Sequence, residues 1–219
     1  MNTETLINLL ASETVTTLYL TLVSTVAAYA LGLPLGIILV LTDKDGIHPN
    51  KAINASLGII INILRSVPFL ILMVWMMPFT RHLVGTATGN RGLIVPLVVA
   101  AAPFVARMVE SSIKEVDHGI IEAAQSMGAP TGKIITKVML GEARPSLLIG
   151  FAITITTILG YTAMAGFCGG GGLGKIAVNY GLYKYQSEMR NLSVILLVII
   201  VQIFQEAGTR LARKLDKRL

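Results

Sequence analysis

The sequence predicts an all-α membrane protein with five transmembrane helices, and three observations support this class. Hydrophobic residues make up 53% of the 219 residues and charged residues only 14%, whereas a soluble domain carries roughly 25% charged residues. The mean hydropathy is +0.72. The apolar residues are gathered in runs long enough to cross a bilayer as helices, which satisfy their own backbone hydrogen bonds. We therefore predict a single transmembrane domain over residues 1–219.

The five predicted spans cover about 15–41, 53–79, 93–109, 147–165 and 192–207. We expect an interruption in the second span, because Arg65 is costly inside a bilayer and Pro68 can redirect the chain. Either the segment before Arg65 lies partly at the interface, so that its guanidinium snorkels to water, or Arg65 lines a polar pathway. In the first span, Gly32 and Gly36 have the spacing that permits close approach of another helix.

Lysine and arginine are distributed unevenly among the predicted loops. Most of them lie after the first span, in the connection at 110–146 and after the fifth span, and with five spans these three segments share one side. Because basic loops stay in the cytoplasm, we expect the N-terminus outside and the C-terminus inside. The net charge of +6 indicates contact with anionic lipid rather than nucleic acid, since the basic residues flank apolar runs instead of forming one patch.

The cytoplasmic connection at 110–146 contains a short helix with its own start and stop signals. Asp117 is a suitable N-cap, and Gly128 can supply the left-handed stop. Between them, helical spacing places four small or apolar residues on one predicted face: Ile120, Ala123, Ala124 and Met127. We interpret this helix as a docking surface for a cytoplasmic partner. The residues predicted to form it are Glu122, Ala123, Ala124, Met127 and Gly128.

A glycine-rich segment follows the fourth span and reads G-G-G-G-L-G-K over 169–175. It matches most of a phosphate-binding loop, but Ile176 stands where Ser or Thr would hold magnesium, and a membrane span precedes it instead of a strand. A flexible or re-entrant external segment fits the context better. The residues predicted to form this external loop or gate are Gly169, Gly170, Gly171, Gly172 and Gly174.

The sequence contains no recognisable catalytic or metal-binding constellation. The three histidines, at 48, 82 and 118, lie in different connections, and none is paired with a second titratable residue at helical spacing in a way that suggests acid–base work, so we predict solvated loop residues. Cys168 is the single cysteine, so no cluster has zinc-ligand spacing. The apolar cores of the spans also lack Asp and Glu, which ion-coupled carriers usually use. We therefore expect a transport subunit that is not an enzyme, binds no cofactor or metal, and receives its energy from a partner.

The predicted docking helix resembles the loop motif of ATP-binding-cassette (ABC) importer permeases, which reads E-A-A, three residues, Gly, nine residues, then I-x-L-P. Glu122, Ala123, Ala124 and Gly128 match this pattern, whereas Gly141 stands where the family has Pro. The resemblance implies a helix that inserts into a groove on an ATPase subunit and transmits the closure of that subunit to the membrane helices.

Five further segments are similar to methionine-importer permeases in particular: 65–69, 94–97, 102–110, 160–166 and 171–174. This resemblance covers roughly 14–210 and implies a type I importer permease of the bacterial cytoplasmic membrane. The partners implied are a second copy of the chain, two ATPase subunits that bind ATP and magnesium, and an extracytoplasmic methionine-binding protein. A permease for another amino acid, a secondary transporter and a channel subunit remain as alternatives; recovery of an ATPase with the permease separates the importer from the last two.

Overall fold

The computed structural model describes residues 3–215, and every regular element in that range is helical. The α-helices are α1 (Thr3–Leu41), α2 (Lys51–Ser66), α3 (Phe69–Val84), α4 (Gly89–Lys114), α5 (His118–Ser126), α6 (Thr131–Lys133), α7 (Leu140–Glu142), α8 (Arg144–Ala165), α9 (Leu173–Ile176) and α10 (Ser187–Leu215). A π-helical segment, Ile134–Met139, joins α6 to α7, and a second one, Ala177–Leu182, follows α9. The fold is thus all-α, as the composition predicts.

Four helices are long and apolar enough to cross a membrane, namely α1, α4, α8 and α10, and α2 and α3 together make a fifth candidate. These two helices meet at an angle of 107°. The predicted second span at 53–79 is therefore broken, and the break lies near Pro68, as the sequence predicts, because Pro68 has an extended ψ of 135° and stands outside both helices. Helix α1 also begins well before position 15, so its first turns precede the predicted span.

The first and fourth helices pack with their backbones in contact. A Cβ atom added to Gly32 would lie 2.6 Å from the Ala102 carbonyl oxygen, and one added to Gly36 would lie 2.6 Å from that of Ala106. Real Cβ atoms do not approach other atoms so closely, so only glycine fits at these two positions. The G-x-x-x-G spacing thus permits the close helix approach expected from the sequence.

The largest core cluster runs without a break from the spans into the connection that follows α4. Leu72 and Leu97 are fully buried in α3 and α4, and the same cluster includes Ile113 at the end of α4, Ile121 in α5 and Ile134 in the first π-helical segment. Because these side chains are packed together, a displacement of α5 must also displace the ends of the membrane helices.

The last helix, α10, leaves most of its apolar surface uncovered. It packs on α8, and the buried residues among the part of α10 that the structure describes are Met189, Ser193, Ile200 and Ala212. Large apolar side chains on α3 are also exposed, with 73% of Trp75 accessible. Such surface is stable only when lipid or another protein covers it, which agrees with a membrane protein that has neighbours.

Candidate functional site

The candidate docking helix α5 has the predicted start and stop. The Asp117 side chain caps its N-terminus and accepts a hydrogen bond from the Gly119 amide at 2.7 Å. Gly128 follows the helix with a φ of +75°, a left-handed conformation that glycine adopts without a Cβ penalty. The Ala129 amide then donates to the Ala124 carbonyl at 3.1 Å, which satisfies one of the free carbonyl groups at the helix end.

The residues predicted to share one face of α5 lie on two faces in the structure. Ala124, 5% exposed, packs inward into the main core beside Ile121. Ile120 and Met127 face outward, with 43% and 81% of their surfaces accessible, and Ala123 is exposed as well. The predicted single face is therefore wrong, because Ile121, not Ile120, anchors the helix. This leaves an outer surface, formed by Ile120, Glu122, Ala123 and Met127, which we call the outer face of α5.

A histidine ties α5 to the connection between α1 and α2. His118 Nε2 lies 3.1 Å from the carbonyl oxygen of Asp45, and His118 Nδ1 lies 3.1 Å from Oε1 of Glu122. Both neighbours are acceptors, so the protonated imidazole, in which both ring nitrogens donate, can make both hydrogen bonds, whereas a neutral imidazole can make only one of them. The Asp45 carbonyl and, secondarily, the Glu122 carboxylate therefore raise the pKa of His118 above its ordinary value. His118 is exposed, as predicted, but it lies in α5 instead of a loop, and Glu122, four residues further on, is its partner.

Charged residues link the end of α4 to both α1 and α2. Glu110 is only 8% exposed. Its two carboxylate oxygens accept from Arg107 at 2.7 Å and from Lys114 at 2.9 Å. Arg107 also donates to the Asn62 side chain of α2 at 2.9 Å. Lys114 pairs with Asp43, just after α1, at 2.6 Å, and this hydrogen bond lowers the pKa of the Asp43 carboxyl.

We call Asp43, Asn62, Arg107, Glu110 and Lys114 the polar cluster. Sequence reasoning did not identify it, although three of its members recur on one face of α4 at positions 107, 110 and 114. The other two come from separate helices or connections, so that only the tertiary structure joins them. The cluster joins the last turns of α4 to α2 and to the end of α1 by specific hydrogen bonds and ion pairs.

The glycine segment at 169–174 is closely packed, which favours the re-entrant alternative over the flexible one. The Leu173 amide donates to Thr17 Oγ1 at 2.8 Å, and the Gly171 amide donates to the Asn90 side chain at 3.2 Å. Lys175 forms an ion pair with Glu13 of α1 at 3.0 Å. Gly170, Gly171, Gly172 and Gly174 are buried, and Gly169 is exposed. A Cβ atom on Gly171 would lie 2.5 Å from the Asn90 side-chain oxygen, so the missing side chains permit this contact.

The described part of the chain is thus an all-helical membrane domain that carries a capped helix, α5, between two of its candidate spans. The family model for the binding-protein-dependent transport system inner membrane component matches residues 32–219, and the chain belongs to this family. It is 47% identical, over 96% of its length and 94% of the relative, to the probable D-methionine transport system permease protein MetI of Vibrio cholerae.

Other similar proteins are also permeases of methionine transport systems. The D-methionine transport system permease protein MetI of Escherichia coli is 47% identical over 68% of this chain and 69% of its own length. The methionine import system permease protein MetP of Bacillus subtilis is 42% identical over 83% of this chain and 82% of its own length. A solved chain of the inward-facing MetNI methionine ABC transporter superimposes with a TM-score of 0.96 at 43% identity, covering 99% of this chain and all of that one.

A more distant solved structure shows that the fold extends beyond these relatives. A chain from an amino acid ABC transporter with histidines has a TM-score of 0.79 over 95% of this chain, with 18% sequence identity. At this identity the likeness shows the fold alone. The type I ABC importer fold of the chain rests on the family model and on the likeness to the MetNI chain.

Proposed function

We propose that the chain is the membrane-spanning subunit of an ABC importer for methionine, powered by a separate ATPase subunit. The observation that carries this proposal is the outer face of α5, which projects small and flexible side chains from a helix rooted in the membrane core. A partner that binds this face can move the spans because Ile121 and Ala124 pack into the same core as residues of the spans. The similarity to methionine permeases over almost the whole chain supports the substrate.

The partners follow from the same reasoning. Two copies of the permease would enclose the pathway between them, since one protomer leaves apolar faces of α3 and α10 uncovered. Each copy would then present one α5 to one of two ATPase subunits, which bind ATP and magnesium. A substrate-binding protein on the opposite side would deliver the amino acid. The glycine segment at 169–174 contacts Asn90 at the start of α4, whereas α5 follows the end of α4, so this segment is our candidate for part of the external gate.

The orientation proposed for the bilayer places α5 and the C-terminus in the cytoplasm and the start of α1 outside. The bent pair then counts as one span, which makes five. The basic residues support this orientation, because the connection between α1 and α2, the connection containing α5 and the end of α10 then all lie on the cytoplasmic side.

Uptake by a strain in which this permease is the sole route for methionine tests the proposal. We expect saturable uptake of labelled methionine that stops when ATP is depleted. An excess of unlabelled methionine should abolish it, and an equal excess of glutamine or histidine should leave most of it. Equal competition by all three would show a general amino-acid importer, and uptake that survives ATP depletion would show a secondary transporter or a channel.

Purification in mild detergent supplies an independent test. The permease should retain an ATPase subunit in about equal copy number, and the complex should contain two copies of each. A permease that is always recovered alone, from cells that also express the candidate ATPase, would contradict the proposed partnership even if methionine uptake were present.

A further inference from the structure

A cavity of about 200 Å³ opens where the bent pair changes direction. Its walls include Arg65 and Val67 on one side of the bend, Phe69 on the other, Ala100 and Phe104 from α4, and Tyr161 from α8. This volume is below the roughly 300–1,000 Å³ of pockets that hold drug-sized ligands. It is therefore suited to one small molecule such as a single amino acid.

The cavity lies near half the depth of the spans. Ala100 and Phe104 are in the middle of α4, which runs from Gly89 to Lys114. Transporters commonly bind substrate near the bilayer midplane, where helices are discontinuous and polar groups can face a water-filled space. The bend between α2 and α3 is such a discontinuity.

Arg65 is the charged group of this cavity, which Tyr161 also lines, and its surroundings differ from those of Arg107. Arg107 contacts the same helix α2 but is held by Glu110 and Asn62. Arg65 is exposed, and none of the ion pairs found within residues 3–215 includes it. A guanidinium at this depth needs water or an anionic partner, and its planar donor groups match a carboxylate in two-pronged geometry.

Besides Arg65, the lining includes the aromatic side chains Phe104 and Tyr161 and the buried Phe69. The rings of Phe69 and Tyr161 are stacked, with centroids 4.5 Å apart and planes inclined by 9°. Phe104 and Val67 complete the apolar wall. Aromatic rings make favourable contacts with a thioether or an aliphatic chain, so the cavity combines one carboxylate-binding group with a surface for an apolar side chain.

We infer that this cavity is a transient binding site for the transported amino acid within the permease, where the Arg65 guanidinium binds the substrate carboxylate and the aromatic wall contacts its apolar side chain. The inference rests on the proposed import of methionine and adds a site and residues to it. It also decides between the two interpretations of Arg65, in favour of the pathway.

Protection of a cysteine from a thiol reagent tests the site directly. In the purified permease and ATPase complex, with Cys168→Ser as background, Val67→Cys places a thiol in the cavity wall, and Trp75→Cys on the exposed side of α3 serves as control. We expect methionine to slow labelling at position 67 and to leave position 75 unaffected. Methioninol, which lacks the carboxylate, should not protect position 67. Equal protection by methionine and methioninol would overturn the inference. This test leaves Arg65 unsubstituted.

The side chain is tested by Arg65→Gln in the Val67→Cys background. The methionine concentration that gives half protection should rise at least about tenfold, as expected for the loss of charge-assisted hydrogen bonds. Arg65→Lys, which keeps the charge but not the two-pronged geometry, should give an intermediate value. Unchanged protection in the assembled Arg65→Gln complex would overturn the inference. If protection were unchanged and uptake were lost, Arg65 would have a structural role instead of a role in binding.

Measurements of methionine uptake distinguish a failure of this site from a failure of the proposed function. Wild-type uptake of methionine tests the function, and the ratio of Arg65→Gln to wild-type uptake tests the site. We expect that ratio to be at most about one tenth, with normal ATPase content, whereas Arg81→Gln, at an exposed position near the end of α3, should stay within about twofold of wild type. A ratio for Arg65→Gln within twofold of one would contradict the site while leaving methionine import intact.

Discussion

At the scale of single residues, Ala123 and Ala124 show how neighbouring positions of α5 serve different purposes. Ala123 is exposed on the outer face, and Ala124 is packed against the core that continues into the spans. A small side chain at 123 lets a partner approach the helix backbone, whereas a small side chain at 124 lets α5 approach its own protein. Both needs are met by the same residue type, so the sequence alone does not separate them.

Ala123→Trp should weaken ATPase docking without unfolding the permease, because the added ring projects away from the protein. We expect less ATPase in a pull-down and a melting temperature within about 2 °C of wild type, since exposed substitutions change stability little. Ala124→Trp, the matched variant, should overpack the core and cost about 1–3 kcal/mol. Equal ATPase recovery in wild type and stable Ala123→Trp would show that the outer face does not dock the partner.

Gly128→Val should misdirect the end of α5. A φ of +75° is strained for a β-branched residue, so the substitution should cost at least about 1 kcal/mol, whereas Gly128→Asn should cost less because asparagine tolerates this conformation. No heavy atom lies within 4 Å of the added Cβ position, so crowding plays no part. Thermal unfolding of the two variants checks the order, and equal stability would show that the loop can relax away from the left-handed conformation.

At the scale of elements, α5 is a separate short helix that acts with the spans through two kinds of contact. Its inner side is packed against the core, and His118 links it to the connection between α1 and α2. The polar cluster then joins that connection to α2 and α4. A push on α5 is therefore transmitted to the bent pair, on which the Arg65 cavity lies.

The His118 link should depend on pH. Because the folded state raises the pKa of His118 above its ordinary value of 6.5, the link stabilises fully below 6.5 and is lost as the pH rises through the raised folded value. His118→Gln should therefore increase hydrogen exchange at residues 43–48 relative to wild type at pH 6, and the difference should shrink above the folded pKa. A difference independent of pH would show that protonation of His118 is not involved.

The polar cluster should behave as one unit. Glu110→Gln leaves Arg107 and Lys114 without their shared carboxylate and should destabilise by about 1–3 kcal/mol, as the loss of a charged, buried partner does. In a double-mutant cycle with Arg107→Gln, the double variant should lose less stability than the sum of the losses in the two single variants, by more than about 0.5 kcal/mol. Strict additivity in thermal or denaturant unfolding would show that the two residues act independently.

At the scale of the whole molecule, α4 packs on α1, α2, α3 and α8, and its backbone approaches that of α1 at Gly32 and Gly36. The glycine segment at 169–174 adds a second close contact, which fastens the chain after α8 to the N-terminal half of α1. These two contacts hold α1 along much of its length. The uncovered apolar faces of α3 and α10 are left for lipid and for a second copy.

The proposed orientation can be checked with single cysteines. In the Cys168→Ser background, cysteines at the exposed positions Thr5 and Lys214 would be treated in intact cells with a thiol reagent that does not cross the membrane. We expect labelling at position 5 and none at 214 until the membrane is permeabilised. The reverse pattern would place α5 outside, where no ATP-hydrolysing partner could reach it.

The sequence by itself determined the helical membrane class, the limits of α5, the break near Pro68 and the family, because hydropathy, caps and linear motifs are local properties of the chain. It did not determine the inward position of Ala124, since α5 has apolar residues on both sides and the neighbouring helices decide which side is buried. The partners of Glu110, the packing of the glycine segment on α1 and the cavity beside Arg65 were decided by the tertiary structure alone. Each of these joins residues from helices far apart in the chain, and no local pattern records which helices meet.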